Sequence, residues 1–238
     1  MVSISGSKKL KRQMAPNFWG ITRKDKRFVI TVKPGPHPKN FSIPTAVFLR
    51  DTLKIVSTLR EAKSTIYDGK VTVDGVKRKS LHHGIGLMDV VELDGVSDIH
   101  RLVPQDSQIL KPIKIEGSEK SKKLVKVTSK TTIRDGKTQI GFHDGRSLIS
   151  DTKVDVGDSC LMQVPEQKIL EVIKLEKGSQ VIITQGVNAG QIGSIEDVKE
   201  GTFMLPKRVL VVLGERKIEI PATLVMLIGK DKPVIQIR

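Results

Sequence analysis

Between Thr58 and Gly75 the chain reads TLREAKSTIYDGKVTVDG, and few local structures satisfy that string. Thr58 stands three residues before Glu61, the spacing at which each side chain caps the other's backbone donor, so a helix begins here. Leu59, Ala62 and Ile66 fall at i, i+3 and i+7 and predict one apolar, buried face. Arg60, Lys63, Ser64 and Tyr67 gather on the opposite face, which is cationic and rich in hydrogen-bond donors. Asp68-Gly69 ends the helix, because glycine enters the left-handed region at little cost. Lys70-Val71-Thr72-Val73 alternates as a half-buried strand does, and Asp74-Gly75 is a hairpin-turn signal. Lys77-Arg78-Lys79 follows directly. Helix and hairpin are therefore expected to present one basic surface, chemistry suited to a phosphate backbone.

Charge supports that reading and locates a second basic region. The net charge of +15 over 238 residues points to a polyanionic partner. Residues 1–40 hold ten Lys/Arg against one acid, whereas the rest of the chain is nearly balanced. Lys8, Lys9, Lys11 and Arg12 open this arm, Arg23, Lys24 and Arg27 continue it, and Pro34-Gly35-Pro36-His37-Pro38 forbids a helix or a central strand at its end. The expectation is an extended arm that orders on nucleic acid. Phe18 and Trp19 are unusual in such an arm; they either stack on a base or pack back onto the next domain.

The remainder divides by its turns. Residues 41–97 carry a first helix after Pro44, the helix and hairpin above, and a closing strand at Val90–Leu93; His82-His83 lacks a second ligand pair and reads as exposed loop. Residues 98–173 read as short strands, Leu124–Thr128, Thr131–Arg134, Lys137–Phe142, Leu148–Ile149 and Ser159–Met162, with Ser118–Lys123 as a charged loop. Asp135 and Asp144 sit in Asp-Gly turns, where backbone chemistry explains them. The lone Cys160 cannot form an internal disulfide and reads as a small core residue, which suits a reducing, cytoplasmic setting. No segment approaches the roughly 20 apolar residues of a membrane span, and the start lacks the apolar region of a signal peptide. Residues 174–238 place Gly186, Asn188, Gly190 and Gln191 in a tight loop between strands at 179–184 and 192–195. No Lys-Ser/Thr follows those glycines, so a nucleotide site is not expected. Strands at Val209–Leu213, Ile218–Ile220 and Leu224–Ile228 complete a small barrel.

These strings carry resemblances. Phe48–Leu53 with Thr58–Gly75 resembles the small helix–helix–hairpin RNA-binding module first known from bacterial ribosomal small-subunit protein four. Gln185–Gln191 with its flanking strands is similar to the KOW motif of SH3-like barrels, although its loop carries no Lys or Arg. That loop contacts RNA through backbone amides, Asn188 and Gln191, or is structural, or faces protein. Together with KKLKRQMAPNFWGI, PGPHPKNFSIPTAVFLRDTLK and IGKDKPVIQI, the layout resembles small-subunit ribosomal protein four of the archaeal and eukaryotic type. The resemblance implies an α+β, multidomain chain: arm 1–40, module 41–97, central β domain 98–173 and KOW barrel 174–238. It implies a non-enzymatic constituent of the small ribosomal subunit, with ribosomal RNA and neighbouring ribosomal proteins as partners and no cofactor, metal, membrane or small-molecule substrate. Its RNA face would be Arg50, Thr58, Arg60, Lys63, Ser64, Lys70 and Lys77 to Lys79, with the basic arm residues and Trp19. Two other classes remain: a KOW-type transcription or translation factor, and an RNA-modifying enzyme, which would need a clustered acid–base set that the residues outside the module do not supply.

Overall fold

The structure is a computed structural model that describes residues 9–150, 152–230 and 232–237. In chain order, β1 (Leu10–Lys11) pairs antiparallel with β2 (Phe28–Val29). Then β3 (Ile43–Pro44) leads into α1 (Thr45–Val47), which widens through Phe48–Thr52, and α2 covers Leu59–Tyr67. Strands β4 (Val71–Val73), β5 (Val76–Lys77), β6 (Gly84–Ile85), β7 (Val90–Leu93), β8 (Ile99–Gln105) and β9 (Gln108–Ile115) follow. The first large sheet has the order β5-β4-β7-β8-β9, and β6 pairs with β3. Pro112 sits in β9, where the edge position spares the proline a missing ladder bond.

The second sheet is built from β10 (Lys122–Thr132), β11 (Thr138–Phe142), β12 (Ser147–Ile149), β13 (Ser159–Gln163) and β14 (Lys168–Ile173), ordered β12-β11-β10-β13-β14. The third contains β15 (Gln180–Ile183), β16 (Ile192–Lys199), β17 (Arg208–Leu213), β18 (Arg216–Pro221) and β19 (Val225–Gly229), ordered β18-β17-β16-β15-β19. The chain is thus mostly β with few helices, multidomain in plan, and ends in a barrel-like sheet. Strand pairing runs across the boundary expected at residue 97: Val90 faces Arg101 and Val91 faces His100.

Apolar burial joins the three sheets. Trp19, Phe48, Leu49, Ile66, Val71 and Leu102 belong to one core. A second core places Val103 from the first sheet and Leu124 and Leu161 from the second against Val181, Val211 and Leu227 of the third. Val125, Val127, Phe142 and Cys160 fill a third. Cys160 is the small buried residue expected of it, and burial pushes its thiol up to about 11.

Several expectations are corrected. Residues 9–40 do not hang free: β1 pairs with β2, Val32 and Trp19 are buried, and the Lys33 N–H donates to the His82 carbonyl at 3.0 Å. Leu59 is exposed, because the buried stripe of α2 runs through Ala62 and Ile66 and leaves the first turn outside. Pro44 precedes α1 in extended conformation, and Ile55 lies beyond the helix and is exposed. His82 and His83 are half-buried; a His82 ring nitrogen bonds the Thr31 carbonyl at 2.7 Å. Burial and the Arg78 charge push His83 down to about 4, so it is neutral at pH 7. Within the expected loop Ser118–Lys123, Lys122 and Lys123 already belong to β10, and Lys123 is buried.

Candidate nucleic-acid interface

The helix and hairpin form as their sequence dictates. The Thr58 hydroxyl accepts the Glu61 N–H at 3.2 Å, and the Glu61 carboxylate accepts the Thr58 N–H at 3.3 Å and the Ser57 N–H at 2.9 Å. Those bonds hold Glu61 below the usual carboxylate range. With Ala62 and Ile66 fully buried, Arg60, Lys63, Ser64 and Tyr67 face solvent. The Lys63 ammonium stands 5.5 Å from the Tyr67 ring centroid. Asp74 and Gly75 both take positive φ, 51° and 75°, the two-residue turn that matches the strand twist, and Thr72 then pairs with Lys77.

The hairpin lysines reach the helix. A Cβ on Gly69, at the end of α2, would lie 3.2 Å from Cε of Lys79 and 4.0 Å from Cδ of Lys77, so both stems cross the helix terminus. Lys77 and Lys79 are thus brought to the end of α2, the helix whose exposed positions include Arg60 and Lys63. Among the described residues no carboxylate lies within 4 Å of Arg60, Lys63 or Lys79, while Lys70 and Lys77 make only long exposed pairs, 3.8 Å to Asp68 and 3.9 Å to Asp94. Such pairs are weak and do not cancel the field. Arg78 is half-buried beside this surface.

The arm splits into structural and exposed cations. The Arg12 guanidinium is buried, donates to the Thr22 carbonyl at 2.6 Å and hydroxyl at 3.0 Å, and pairs with Asp25 at 3.5 Å. Trp19 is fully buried, and its Nε1–H donates to the Ser42 carbonyl at 2.9 Å. Both therefore leave the RNA set: one aromatic and one cation anchor the arm to the first core. Arg50 is half-buried with its guanidinium turned onto Asp51, 2.7 Å away, so its charge is largely cancelled. The Thr58 oxygen is taken by the cap. Lys8 lies outside the described residues. Arg23 is exposed yet donates to the Gln13 carbonyl at 3.0 Å and to Asn17. Lys11, Arg23 and Arg27 line a shallow cleft with Lys26, a cation the site prediction omitted although it lies within the same basic run. Lys9 and Arg27 flank the Phe28 ring at 5.7 Å and 5.2 Å, and Lys24 is exposed.

In the third sheet, the loop between β15 and β16 faces the chain itself. Gly190 has φ +85°, and a Cβ there would stand 2.5 Å from the Gln105 Cα. The Ser107 N–H donates to the Ala189 carbonyl at 3.1 Å, and the Ser107 hydroxyl to the Val187 carbonyl at 2.7 Å. The close approach that the glycine permits is to the β8–β9 turn, so Gly190 offers no backbone to RNA. Asn188 and Gln191 line a cleft that also contains Arg216, the cation this loop lacks in sequence and gains from the start of β18. Gly186 remains exposed at the tip.

Behind the basic surface lies a buried ionic cluster that fixes the hairpin turn. The Lys123 ammonium sits 2.7 Å from Asp74, 2.5 Å from Asp89 and 3.1 Å from Asp144, all nearly inaccessible. Arg146 adds a 2.7 Å pair with Asp74 and a 3.3 Å pair with Asp144, and a ring nitrogen of His37 lies 3.0 Å from Asp89. Burial opposes charge throughout, but His37 and Lys123 hold Asp89 well below the usual carboxylate range, and the three carboxylates raise Lys123. The ammonium bridges the three carboxylates, and no group of three or more His, Cys, Asp or Glu side chains among the described residues is placed to hold a metal ion. Asp144 was explained from sequence by its turn alone; its carboxylate is in fact buried in this cluster.

Comparison with known proteins then places the chain. The Ribosomal family S4e matches residues 97–169, and the RS4NT (NUC023) domain matches residues 5–40. The chain is 36% identical to the small ribosomal subunit protein eS4 of Methanothermobacter thermautotrophicus over 238 residues, covering all of this chain and 98% of that one. It is 35% identical to the eS4 of Korarchaeum cryptofilum, with all of both chains covered. The crystal structure of the 30S ribosomal protein S4e from Thermoplasma acidophilum superposes with a TM-score of 0.68 at 34% identity, covering 81% of this chain and 97% of that one.

Proposed function

The chain belongs to the small ribosomal subunit protein eS4 family, and from that premise we propose how it works: as a structural, non-enzymatic constituent of the small subunit that clamps ribosomal RNA on two basic surfaces. One is the α2–hairpin surface, Arg60, Lys63, Ser64, Lys70, Lys77, Arg78 and Lys79. The other is the exposed part of the arm, Lys9, Lys11, Arg23, Lys24, Lys26 and Arg27. Lysine and arginine displace counterions from phosphates, which supplies affinity without reading sequence. Tyr67 and Ser64, exposed amid those cations, supply contacts to bases or 2′-hydroxyls. The observation that carries this reading is the exposed cations of α2, Arg60 and Lys63, together with Lys77 and Lys79 brought against Gly69 at the helix end, with only long surface pairs to Asp68 and Asp94 opposing them.

In finer detail, residues 41–97 act as a helix–helix–hairpin RNA-binding module and residues 174–238 as a KOW-type barrel, with 1–40 as the arm and 98–173 as the central β domain. In the barrel, Arg216 with Asn188 and Gln191 is the surface offered to RNA. The setting is the cytoplasmic ribosome, with neighbouring ribosomal proteins as further partners.

The test is charge reversal on α2. Arg60→Glu with Lys63→Glu changes two exposed positions, so the melting temperature stays within a few degrees. Binding to small-subunit RNA should weaken at least tenfold, and the slope of log K against log salt should flatten by about two units. Unchanged affinity and slope in a folded variant would refute the assignment.

A further inference from the structure

The segment between β16 and β17 runs Gly201-Thr202-Phe203-Met204-Leu205-Pro206 and carries the two most exposed large apolar side chains of the described residues, Phe203 at 105% and Met204 at 87%, with Leu205 beside them at 47%. The loop is closed on itself. The Thr202 N–H donates to the Leu205 carbonyl at 2.8 Å, and the Leu205 N–H returns to the Thr202 hydroxyl at 3.3 Å. At its base a Cβ on Gly201 would stand 2.9 Å from the Lys207 nitrogen, so only glycine lets the two arms come this close. A compact turn thus holds an aromatic and a thioether side chain out in water. Among the described residues nothing covers them, and contiguous exposed apolar side chains mark interaction sites.

The collar of the loop indicates what covers it. Lys207 pairs with Glu200 at 2.8 Å, Lys199 with Glu219 at 3.0 Å, and Arg208 with Glu219 at 2.6 Å. These three cations share two carboxylates, in contrast to Arg60, Lys63 and Lys79, which have none within 4 Å among the described residues, so the tip has far less of the field that gathers phosphates. The apolar surface also continues past the tip. Pro206 and Lys207 border a cavity of about 420 Å³ whose walls include Phe41, Leu87, Ile109, Val156 and Met226.

We propose that the Gly201–Pro206 loop is a protein-docking element whose Phe203 and Met204 enter an apolar pocket on a neighbouring protein of the assembled small subunit. The inference rests on the ribosomal reading above. Phe203 is the anchor, a large side chain with few torsions to freeze, and Met204 adapts to the rim of the pocket. The collar, three cations against two carboxylates, keeps little net charge and meets a rim that carries little.

The test replaces Phe203 with a photoreactive benzophenone amino acid in the full chain, isolates salt-washed small subunits and irradiates them. A crosslink to an apolar peptide of a small-subunit protein supports the proposal. A crosslink to ribosomal RNA, to a second copy of this chain, or to nothing while the chain is present in the subunit overturns it. Absence of the chain from the subunit, with unlabelled wild type absent too, instead refutes the ribosomal reading and removes the docking element with it. In a companion measurement, Phe203→Ala with Met204→Ala competes with wild type for incorporation. The variant should fold and bind free RNA with an unchanged salt slope, yet be under-represented in subunits roughly tenfold. Equal incorporation overturns the proposal.

Discussion

Replacing Lys123 with methionine tests the internal scaffold behind the RNA surface. Among the described residues its ammonium alone touches Asp74, Asp89 and Asp144 together, at 2.7, 2.5 and 3.1 Å, and these carboxylates are at most 5% accessible. Methionine keeps the apolar stem of the side chain, ending one atom short of the ammonium, but leaves three buried carboxylates to Arg146 and His37. Breaking one buried pair costs about 3–5 kcal/mol, and three carboxylates sharing one partner place the loss at the upper end, about 5 kcal/mol. That is a third or more of the total stability of an ordinary domain. At a urea dependence of about 3 kcal/mol per molar, the midpoint should fall by roughly 1.5 M. Because Asp74 and Asp89 belong to the first sheet region and Lys123, Asp144 and Arg146 to the second, the variant should also uncouple them. Fluorescence of the single Trp19 reports the first core, and circular dichroism reports all three sheets. The two transitions should coincide in the wild type and separate in the variant. Adding Asp89→Asn and Asp144→Asn should restore about half of the loss, since the Asp74–Arg146 pair then stands alone. A Lys123→Met loss below about 1 kcal/mol, with coincident transitions, would refute the reasoning.

Two further variants address buried groups elsewhere. Trp19→Ala should cost about 3–5 kcal/mol, because it empties a fully buried site and orphans the Ser42 carbonyl, while the RNA salt slope stays unchanged below the melting temperature; lost RNA affinity at unchanged stability would instead mean the indole stacks on a base. Lys126 donates to the carbonyls of Ala222, Thr223 and Val225 at 2.6, 3.0 and 2.6 Å, and burial pushes it down to about 8 from 10.5. The folded state then binds fewer protons than the unfolded chain between those values, so stability attributable to Lys126 should rise with pH across that window. The difference between wild type and Lys126→Met should grow by about 2–3 kcal/mol from pH 7 to pH 10, and a pH-independent difference would contradict this.

The local elements were legible where the signal is local. The Thr58–Glu61 cap, the Asp68-Gly69 stop and the Asp74-Gly75 turn are each decided within a few residues, and each formed as expected. What sequence could not supply is which distant groups meet. Lys123 ends a string, SEKSKK, that looks solvated; its burial depends on Asp74, Asp89 and Asp144, which lie 49, 34 and 21 positions away. Trp19 stood in a basic run, and only the Ser42 carbonyl and the first core settled its place. The glycines at 186–190 marked a tight loop, but sequence did not show that Gly190 seats against the chain's own β8–β9 turn. Of the site residues, Arg60, Lys63 and Ser64 on α2 are exposed as expected, because helical periodicity fixes which face is outward, whereas Arg78 past the hairpin is half-buried. Arg12 and Arg50 are not exposed, because charge alone does not reveal a nearby Thr22 or Asp51.

The most direct test of the central claim is sedimentation of the endogenous protein through a sucrose gradient, repeated after a wash at roughly 0.5 M salt, which strips simple charge-driven binders. A structural constituent held by two basic surfaces and protein contacts should migrate with the small subunit in equimolar amount before and after the wash. Migration at the top of the gradient, with RNA polymerase, or in substoichiometric amounts would contradict the account.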